Sequence, residues 1–264
     1  MRRNELFRRL LTVFLVCAVL LLVPGCSLKI PDGIRTKKLH GAPVTEDIPL
    51  TYDGEKGLLL KINLTLAGTE TCPVRIYPAG EDTPHAVVTY PADFAENGFV
   101  CENTDGALIV SADPAYRYTA DGFSLAVYAA LGECSLSGEA ELSADCGGTG
   151  PDEVRFAVSG AAACNFRDIA AQHLTLSVTG AADVVLSGKA DVLDASISGT
   201  GEIDAAALAC ADCTVSVAGA GAVEVNASDT LDVSVTGAGS VTYLGEPQIT
   251  KHILGAGAVT PAAS

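Results

Sequence analysis

The sequence predicts an all-β protein, a single-stranded parallel β-helix (β-solenoid) with about 18–22 residues in each coil. Two observations carry this prediction. A short phrase ending in glycine returns at a nearly constant interval through the second half of the chain, and apolar residues alternate with polar ones inside each repeat. Helical repeats are excluded because β-branched residues at alternate positions, with a glycine in every unit, oppose helix formation.

The first 25 residues have the three parts of an export signal. Residues 1–9 carry four Arg and one Glu, and the next 14 residues, Leu10–Val23, form an apolar run. A transmembrane helix needs about 20 apolar residues, so this run is better suited to a signal peptide. We therefore expect residues 1–25 to be a signal peptide and the chain to be exported.

The residues that end this segment, Val23-Pro24-Gly25-Cys26, resemble the bacterial lipobox, in which the cysteine is lipidated and becomes the new N-terminus. Val23 replaces the usual Leu, and Pro24 stands where Ala or Ser is typical. The resemblance implies a lipid anchor on Cys26 at the outer side of the cytoplasmic membrane, or at the outer membrane of a cell with two. An uncleaved anchor and ordinary secretion are the alternatives.

Residues 26–43 form a basic tether in this interpretation. Four basic residues, Lys29, Arg35, Lys37 and Lys38, lie close to the anchor, where anionic lipid would attract them. A solvated tether with a turn at Pro31-Asp32-Gly33 explains the same residues. We predict that this segment associates with the membrane through the lipid on Cys26.

The body beyond the tether is strongly acidic. The whole chain has 16 Lys and Arg against 32 Asp and Glu, and removing residues 1–25 leaves 12 against 31. This balance excludes a nucleic-acid partner, because phosphate contacts need clustered Lys and Arg. It also predicts that the body is repelled by an anionic membrane surface.

The repeated phrase begins near residue 135 and ends in a glycine each time. The glycines are Gly138, Gly160, Gly180, Gly199, Gly219, Gly237 and Gly255. They are 22, 20, 19, 20, 18 and 18 residues apart, a period typical of solenoids. A second small residue follows two positions later, as in Gly201 and Gly221, and marks a corner where the backbone has positive φ or approaches a neighbour closely.

If each repeat is one coil, equivalent positions form columns of inward side chains. The column two residues before the glycine contains Leu136, Val158, Val178, Ile197, Val217, Val235 and Ile253. The column six before it contains Gly132, Val154, Leu174, Leu193, Cys213, Leu231 and Ile249. The column four after it contains Leu142, Cys164, Val184, Ile203, Val223, Val241 and Val259.

Strand patterns also precede the repeats. Residues 61–66 and 123–127 alternate, and turn signals such as Asn97-Gly98 separate strand-like runs. Because no Pro- or Ser-rich linker divides the chain, we predict one β-helix domain over residues 44–262. Its residues 44–131 are the irregular, capping half, and residues 132–262 are the regular repeats.

The phrase Ser-Val-Thr/Ala-Gly-Ala, which ends with Gly255-Ala-Gly-Ala-Val259, resembles the head GIN domain of auto-transporter adhesins. The repeats of residues 135–260 carry this resemblance, and the half before them shares only a plan of short strands. It implies a β-helical, envelope-exposed domain with an adhesin role. It brings no catalytic residues with it.

Nine cysteines are present, seven after Cys17 leaves with the signal and Cys26 is lipidated. An odd number cannot form a complete disulfide framework. Cys134, Cys164 and Cys213 fall on inward positions, which predicts core packing. A disulfide or metal site through Cys210 and Cys213 is the alternative, and the sequence leaves the state of Cys72, Cys101, Cys146 and Cys210 open.

The outer face offers the candidate binding residues. Positions one and three before each glycine are small and polar, and we single out Ser177, Thr179, Ser196, Ser198, Ser234 and Thr236. Stacked hydroxyls would suit a glycan or another polar repeating surface; small polar residues that simply cover a tightly wound sheet are the alternative. Beyond the corner, Asp183, Glu202, Asp204 and Glu224 would form an acidic patch. Ca²⁺ could relieve its repulsion, and solvated charges are the alternative.

These residues predict an envelope-anchored lipoprotein with an adhesin-like binding domain, whose partner is a glycan or an envelope protein. A structural or regulatory envelope component that binds a membrane partner is the second interpretation, and a polysaccharide-active enzyme is the third. We predict no enzyme activity and no cofactor apart from the Ca²⁺ alternative, because none of the four histidines lies near a Ser in a nucleophile-elbow pattern.

Overall fold

The computed structural model describes residues 35–67, 73–80, 83–119 and 121–262. The predicted signal peptide, Cys26 and Cys72 lie outside these residues. Within the described ranges, nineteen strands follow one another with one 3-10 helix, Ala92–Asn97, between β5 and β6. The strands of the first half are β1 (Arg35–Lys37), β2 (Pro43–Pro49), β3 (Leu58–Ala67), β4 (Val74–Tyr77), β5 (His85–Pro91), β6 (Val100–Thr104), β7 (Ala107–Ser111), β8 (Tyr116–Thr119) and β9 (Ser124–Tyr128).

The second half is built from the repeats. Its strands are β10 (Leu131–Glu139), β11 (Glu141–Asp145), β12 (Glu153–Gly160), β13 (Ala163–Gly180), β14 (Asp183–Gly199), β15 (Glu202–Gly219), β16 (Ala222–Gly237), β17 (Ser240–Leu244), β18 (Gln248–Gly255) and β19 (Ala258–Pro261). Each pairs in parallel with its equivalent in the neighbouring coil, and the chain winds into a β-solenoid of about six turns. The predicted fold class is confirmed.

The inward columns form the core. In the column two before the glycine, each residue from Leu136 to Ile253 is the register partner of its equivalent in the next coil. Its members from Leu136 to Val235 are at most 2% exposed. The column four after the glycine is also continuous, from Leu142 to Val259. Each coil is thin, so this shared core is what buries its apolar side chains.

The last described coil departs from this pattern. Ile253 belongs to an inward column but is 39% exposed, and the neighbouring Leu254 is 72% exposed. Lys251 stands in register with Val233, a fully buried core position. An inward charge on an edge strand discourages further strand pairing, because another strand would have to bury the ammonium group.

The glycines of the phrase form a column of their own, and all seven have positive φ. At Gly219, φ is +125° and an added Cβ would lie 2.4 Å from the carbonyl oxygen of Gly199. The second small residue works differently: a Cβ on Gly221 would lie 2.7 Å from Ile197 Cγ2. The first glycine therefore bends the chain, and the second admits a core side chain from the preceding coil.

The first half is less regular. The parallel stacking continues from β10 through β3 to β7, whereas β5 is antiparallel to β9 and β6 is antiparallel to β7. Aromatic side chains pack around the 3-10 helix: the Phe94 ring lies 4.6 Å from Phe99 and 4.8 Å from Tyr118, measured between centroids. This aromatic cluster lies beside the antiparallel strands of the irregular half, whereas the inward columns continue into that half through Ile62 and Val74.

The basic residues nearest the described start of the chain belong to the β-structure. Arg35–Lys37 pairs in parallel with Tyr116–Tyr118, so part of the predicted tether 26–43 is a paired strand. Residues Arg35–Ser264 form one compact unit. Over the described residues, none of the helical structure has the length and apolar character that crossing a membrane requires.

Candidate functional site

Two columns of small polar side chains lie on the outer face before the glycine column. Parallel pairing stacks Ser177, Ser196, Ser216 and Ser234 in one column and Thr179, Ser198, Ala218 and Thr236 in the other. Neighbouring members are about 4.8 Å apart along the solenoid, the spacing of adjacent strands. The structure thus brings together all six hydroxyl residues that the sequence singled out.

Most of these hydroxyls are open to solvent. Ser177, Thr179 and Ser198 are exposed, as are Ser234 and Thr236, whereas Ser196 is half-buried. Ser196 donates to the carbonyl oxygen of Leu176 at 3.3 Å. Among the described residues, the five exposed hydroxyls have no side-chain hydrogen bond, so they can donate to or accept from a ligand or water.

A third column widens this face. It lies five residues before each glycine from Gly180 onward and contains Thr175, Asp194, Thr214, Asp232 and Thr250. Hydroxyls and carboxylates alternate along it, and Asp194 Oδ2 lies 2.7 Å from His173 Nε2. Sequence reasoning missed this column, although its odd spacing from the glycine is the signal that identified the other two. We call the three columns together the hydroxyl face.

The predicted acidic patch lies beyond the glycine corner. Asp183 is the register partner of Glu202, and Asp204 is the register partner of Glu224. Burial, and then the charge of Glu202, raise the pKa of Asp183. Within the described residues no three His, Cys, Asp or Glu side chains are grouped closely enough to hold a metal ion. The four carboxylates are therefore two stacked pairs on neighbouring columns.

The cysteines on inward positions are part of the core. Cys134, Cys164 and Cys213 are 1–3% exposed, as the column alignment predicts. Cys210 is also buried, because the strand irregularity beside Asp212 turns both members of the Cys210-x-x-Cys213 motif inward. A hydrogen bond between the two thiols lowers the pKa of Cys210 and raises that of Cys213.

A concavity that the sequence analysis did not identify lies on the same side of the glycine corner as the acidic patch. It has a volume of about 300 Å³ and is lined by Arg75, Ile76, Tyr77, Ser143, Asp145 and Arg167. These residues come from β4, β11 and β13, which are adjacent in the sheet. No sequence motif marks the site, because its two arginines are 92 positions apart in the chain. We call it the arginine pocket.

The chain matches a known protein family over part of its length. Residues 88–247 match the family described as "Putative auto-transporter adhesin, head GIN domain". This range includes the hydroxyl face except Thr250, and three residues of the arginine pocket, Ser143, Asp145 and Arg167. Arg75 and Tyr77 lie outside it. Comparison with curated proteins gives no match.

Solved structures share the fold. The crystal structure of a putative adhesin from Bacteroides fragilis is 18% identical, with a TM-score of 0.72, over 86% of this chain and all of that one. That of a putative lipid binding protein from Parabacteroides distasonis is 17% identical, with a TM-score of 0.64, over 87% and 100% of the two chains. A putative adhesin from Parabacteroides merdae is 20% identical, with a TM-score of 0.57 and the same coverage.

Proposed function

Because this chain belongs to the family of putative auto-transporter adhesins with a head GIN domain, we propose that it is an adhesin-like binding protein of the cell envelope. The hydroxyl face is its binding surface, and a hydrated, polar glycan is its ligand. The family description names an adhesin and no catalytic activity. We accordingly assign binding to this surface and no chemical step.

One observation carries the proposal: exposed hydroxyls recur in register across consecutive coils. A polysaccharide presents hydroxyls at regular intervals, and a Ser or Thr hydroxyl can both donate to and accept from them. The face is also free of large apolar side chains from Ser177 to Thr236, which suits a ligand that keeps much of its water. Each contact is weak, so the affinity would come from many coils that bind the same polysaccharide molecule.

Lipid attachment at Cys26 would hold this surface at the membrane. The support is the apolar run followed by Val23-Pro24-Gly25-Cys26 and the basic residues after it. The acidic body would then stand off an anionic bilayer and present its face outward. A chain expressed with an alkyne-labelled fatty acid should carry the label, and Cys26→Ser should not. Equal labelling of both chains would place the lipid elsewhere.

The binding proposal is tested with a glycan array. The full chain, purified in a detergent without a sugar head group, should bind neutral polysaccharides. A Thr179→Val/Ser198→Ala variant should bind about tenfold more weakly, since two lost hydrogen bonds cost about 0.5–1.5 kcal/mol each. A Ser240→Ala/Thr242→Val variant makes the same chemical change beyond the glycine corner and should bind normally.

Two results would overturn the proposal. One is an array without any bound glycan, and the other is equal binding by both variants and the unmodified chain. Co-purification of one membrane protein, with no array signal, would instead support a structural or regulatory envelope component.

A further inference from the structure

The arginine pocket combines positive charge, an aromatic ring and hydrogen-bonding side chains in one concavity. We propose that it binds a single acidic sugar residue, a sugar ring bearing one carboxylate, at the end of a glycan. The pocket lies across the glycine corner from the hydroxyl face, so this inference does not depend on the function proposed above.

The shape of the pocket follows from side-chain length along three adjacent strands. β11 lies between β4 and β13, with Ser143 paired to Arg75 and Asp145 paired to Arg167. Short side chains on the central strand are flanked by long ones on both neighbours, which leaves a trough. The two outer strands are two strand spacings apart, about 9.6 Å. At about 300 Å³, the trough is at the small end of the range for ligand sites, which suits one monosaccharide.

Two arginines line this concavity of an acidic protein. Two other arginines of the described chain pair with glutamates, Arg117 with Glu139 and Arg155 with Glu153. Arg75 and Arg167 make no ion pair among the described residues, although Asp145 is the register neighbour of Arg167. Both arginines line the concavity, which therefore carries two positive charges against the one negative charge of Asp145. A carboxylate can accept two parallel hydrogen bonds from one guanidinium, which favours it as the ligand group.

Tyr77 supplies an apolar surface beside these charges. Tyr128 of β9 stacks on one face of the ring, with centroids 5.0 Å apart and planes 14° apart. His85 stacks on the far side of Tyr128 at 4.8 Å, so the Tyr77 ring ends a row of three. β4 lies between β9 and β11, so the other face of Tyr77 is turned toward the pocket. Such a face packs against the C–H groups of a sugar ring.

Asp145 favours a sugar over a simple anion. One of its carboxylate oxygens accepts a hydrogen bond from the Gly147 backbone N–H at 3.0 Å, which fixes the side chain in place. A bare phosphate or sulfate would be repelled by this carboxylate, whereas sugar hydroxyls can donate to it. The chain's net charge of −16 also favours a ligand with a single carboxylate, because it would repel a long polyanion more strongly.

The test is a titration of the full chain, in a detergent without a sugar head group, with small probes. Methyl β-glucuronoside should bind saturably, and methyl β-glucoside, which lacks the carboxylate, should bind at least tenfold more weakly. Arg75→Gln and Arg167→Gln should each weaken glucuronoside binding about tenfold. Tyr77→Phe should keep the affinity, and Tyr77→Ala should lose it.

Control variants separate this site from others. Arg155→Gln removes an exposed arginine of β12 outside the pocket and should leave the titration unchanged. Thr179→Val/Ser198→Ala should also leave it unchanged, so failure here is distinguishable from failure of the hydroxyl-face proposal. The inference is overturned if both glycosides bind equally, if neither binds, or if the Arg75 and Arg167 variants bind normally. It is also overturned if acetate or sulfate displaces the glucuronoside at equal concentration.

Discussion

Replacing Gly219 by Ala tests the glycine column that bends every coil. Gly219 has a φ of +125°, which costs a residue with a Cβ roughly 1–3 kcal/mol. The added Cβ would also lie 2.4 Å from the carbonyl oxygen of Gly199. That oxygen accepts a hydrogen bond from the Ala220 N–H at 2.9 Å, so moving it away would lose the bond, worth about 1 kcal/mol. The combined loss is about 3 kcal/mol of unfolding free energy.

The assay is equilibrium urea unfolding followed by far-ultraviolet circular dichroism. With an m-value of roughly 1–3 kcal/mol per molar urea, the midpoint of Gly219→Ala should fall by about 1–3 M. Gly98→Ala is the matched control, because Gly98 has a φ of +75° but an added Cβ meets nothing within 4 Å. It should lose only about 1 kcal/mol from its backbone conformation. Equal losses in the two variants would refute close stacking of the glycines.

Three further predictions concern cysteines, a carboxylate and the last coil. Partial burial raises the pKa of both Cys101 and Cys146 to about 12. At pH 8, alkylation of these thiols in the native state should therefore be about a thousandfold slower than in urea, and equal rates would contradict their partial burial. Asp183 has a raised pKa in the folded chain, so stability falls as the pH rises through that pKa. Asp183→Asn should therefore unfold at a higher urea concentration than the unmodified chain at pH 7. The difference should vanish well below pH 3.8, because Asp183 is then protonated in both the folded and the unfolded chain. A difference that stays constant across pH would argue against this titration. Lys251→Val should promote end-to-end association in light scattering, whereas the exposed Lys189→Val should not; a monodisperse Lys251 variant would show that the charge does not protect the edge.

The repeats were predictable from the sequence because residues that contact each other in neighbouring coils of a solenoid are separated by a nearly constant number of positions. Val178, Ile197 and Val217 occupy the same position of successive phrases, and the structure stacks them in register. The same reasoning placed Ser177 beside Ser196 and Asp183 beside Glu202. Counting along the period was sufficient, since the neighbours of a residue are its equivalents one coil away.

The irregular half and the arginine pocket could not be read in this way. Strands β5 and β6 run antiparallel to their partners, and the cluster around Phe94 depends on contacts without a fixed sequence spacing. The pocket joins Arg75 from this half to Arg167 from the repeats. Their proximity follows from the pairing of β4 with β11, and no repeated spacing in the sequence predicts that pairing.

Stacking in register is the claim on which both binding surfaces depend, and one distance tests it directly. Ser137 and Thr236 are 99 residues apart in the sequence, yet they stand in one column, five strand spacings apart. Spin-labelled unnatural side chains at these two positions should give one narrow distance near 24 Å by pulsed electron resonance. A broad distribution, or a distance well beyond 35 Å, would mean that the coils do not stack as described.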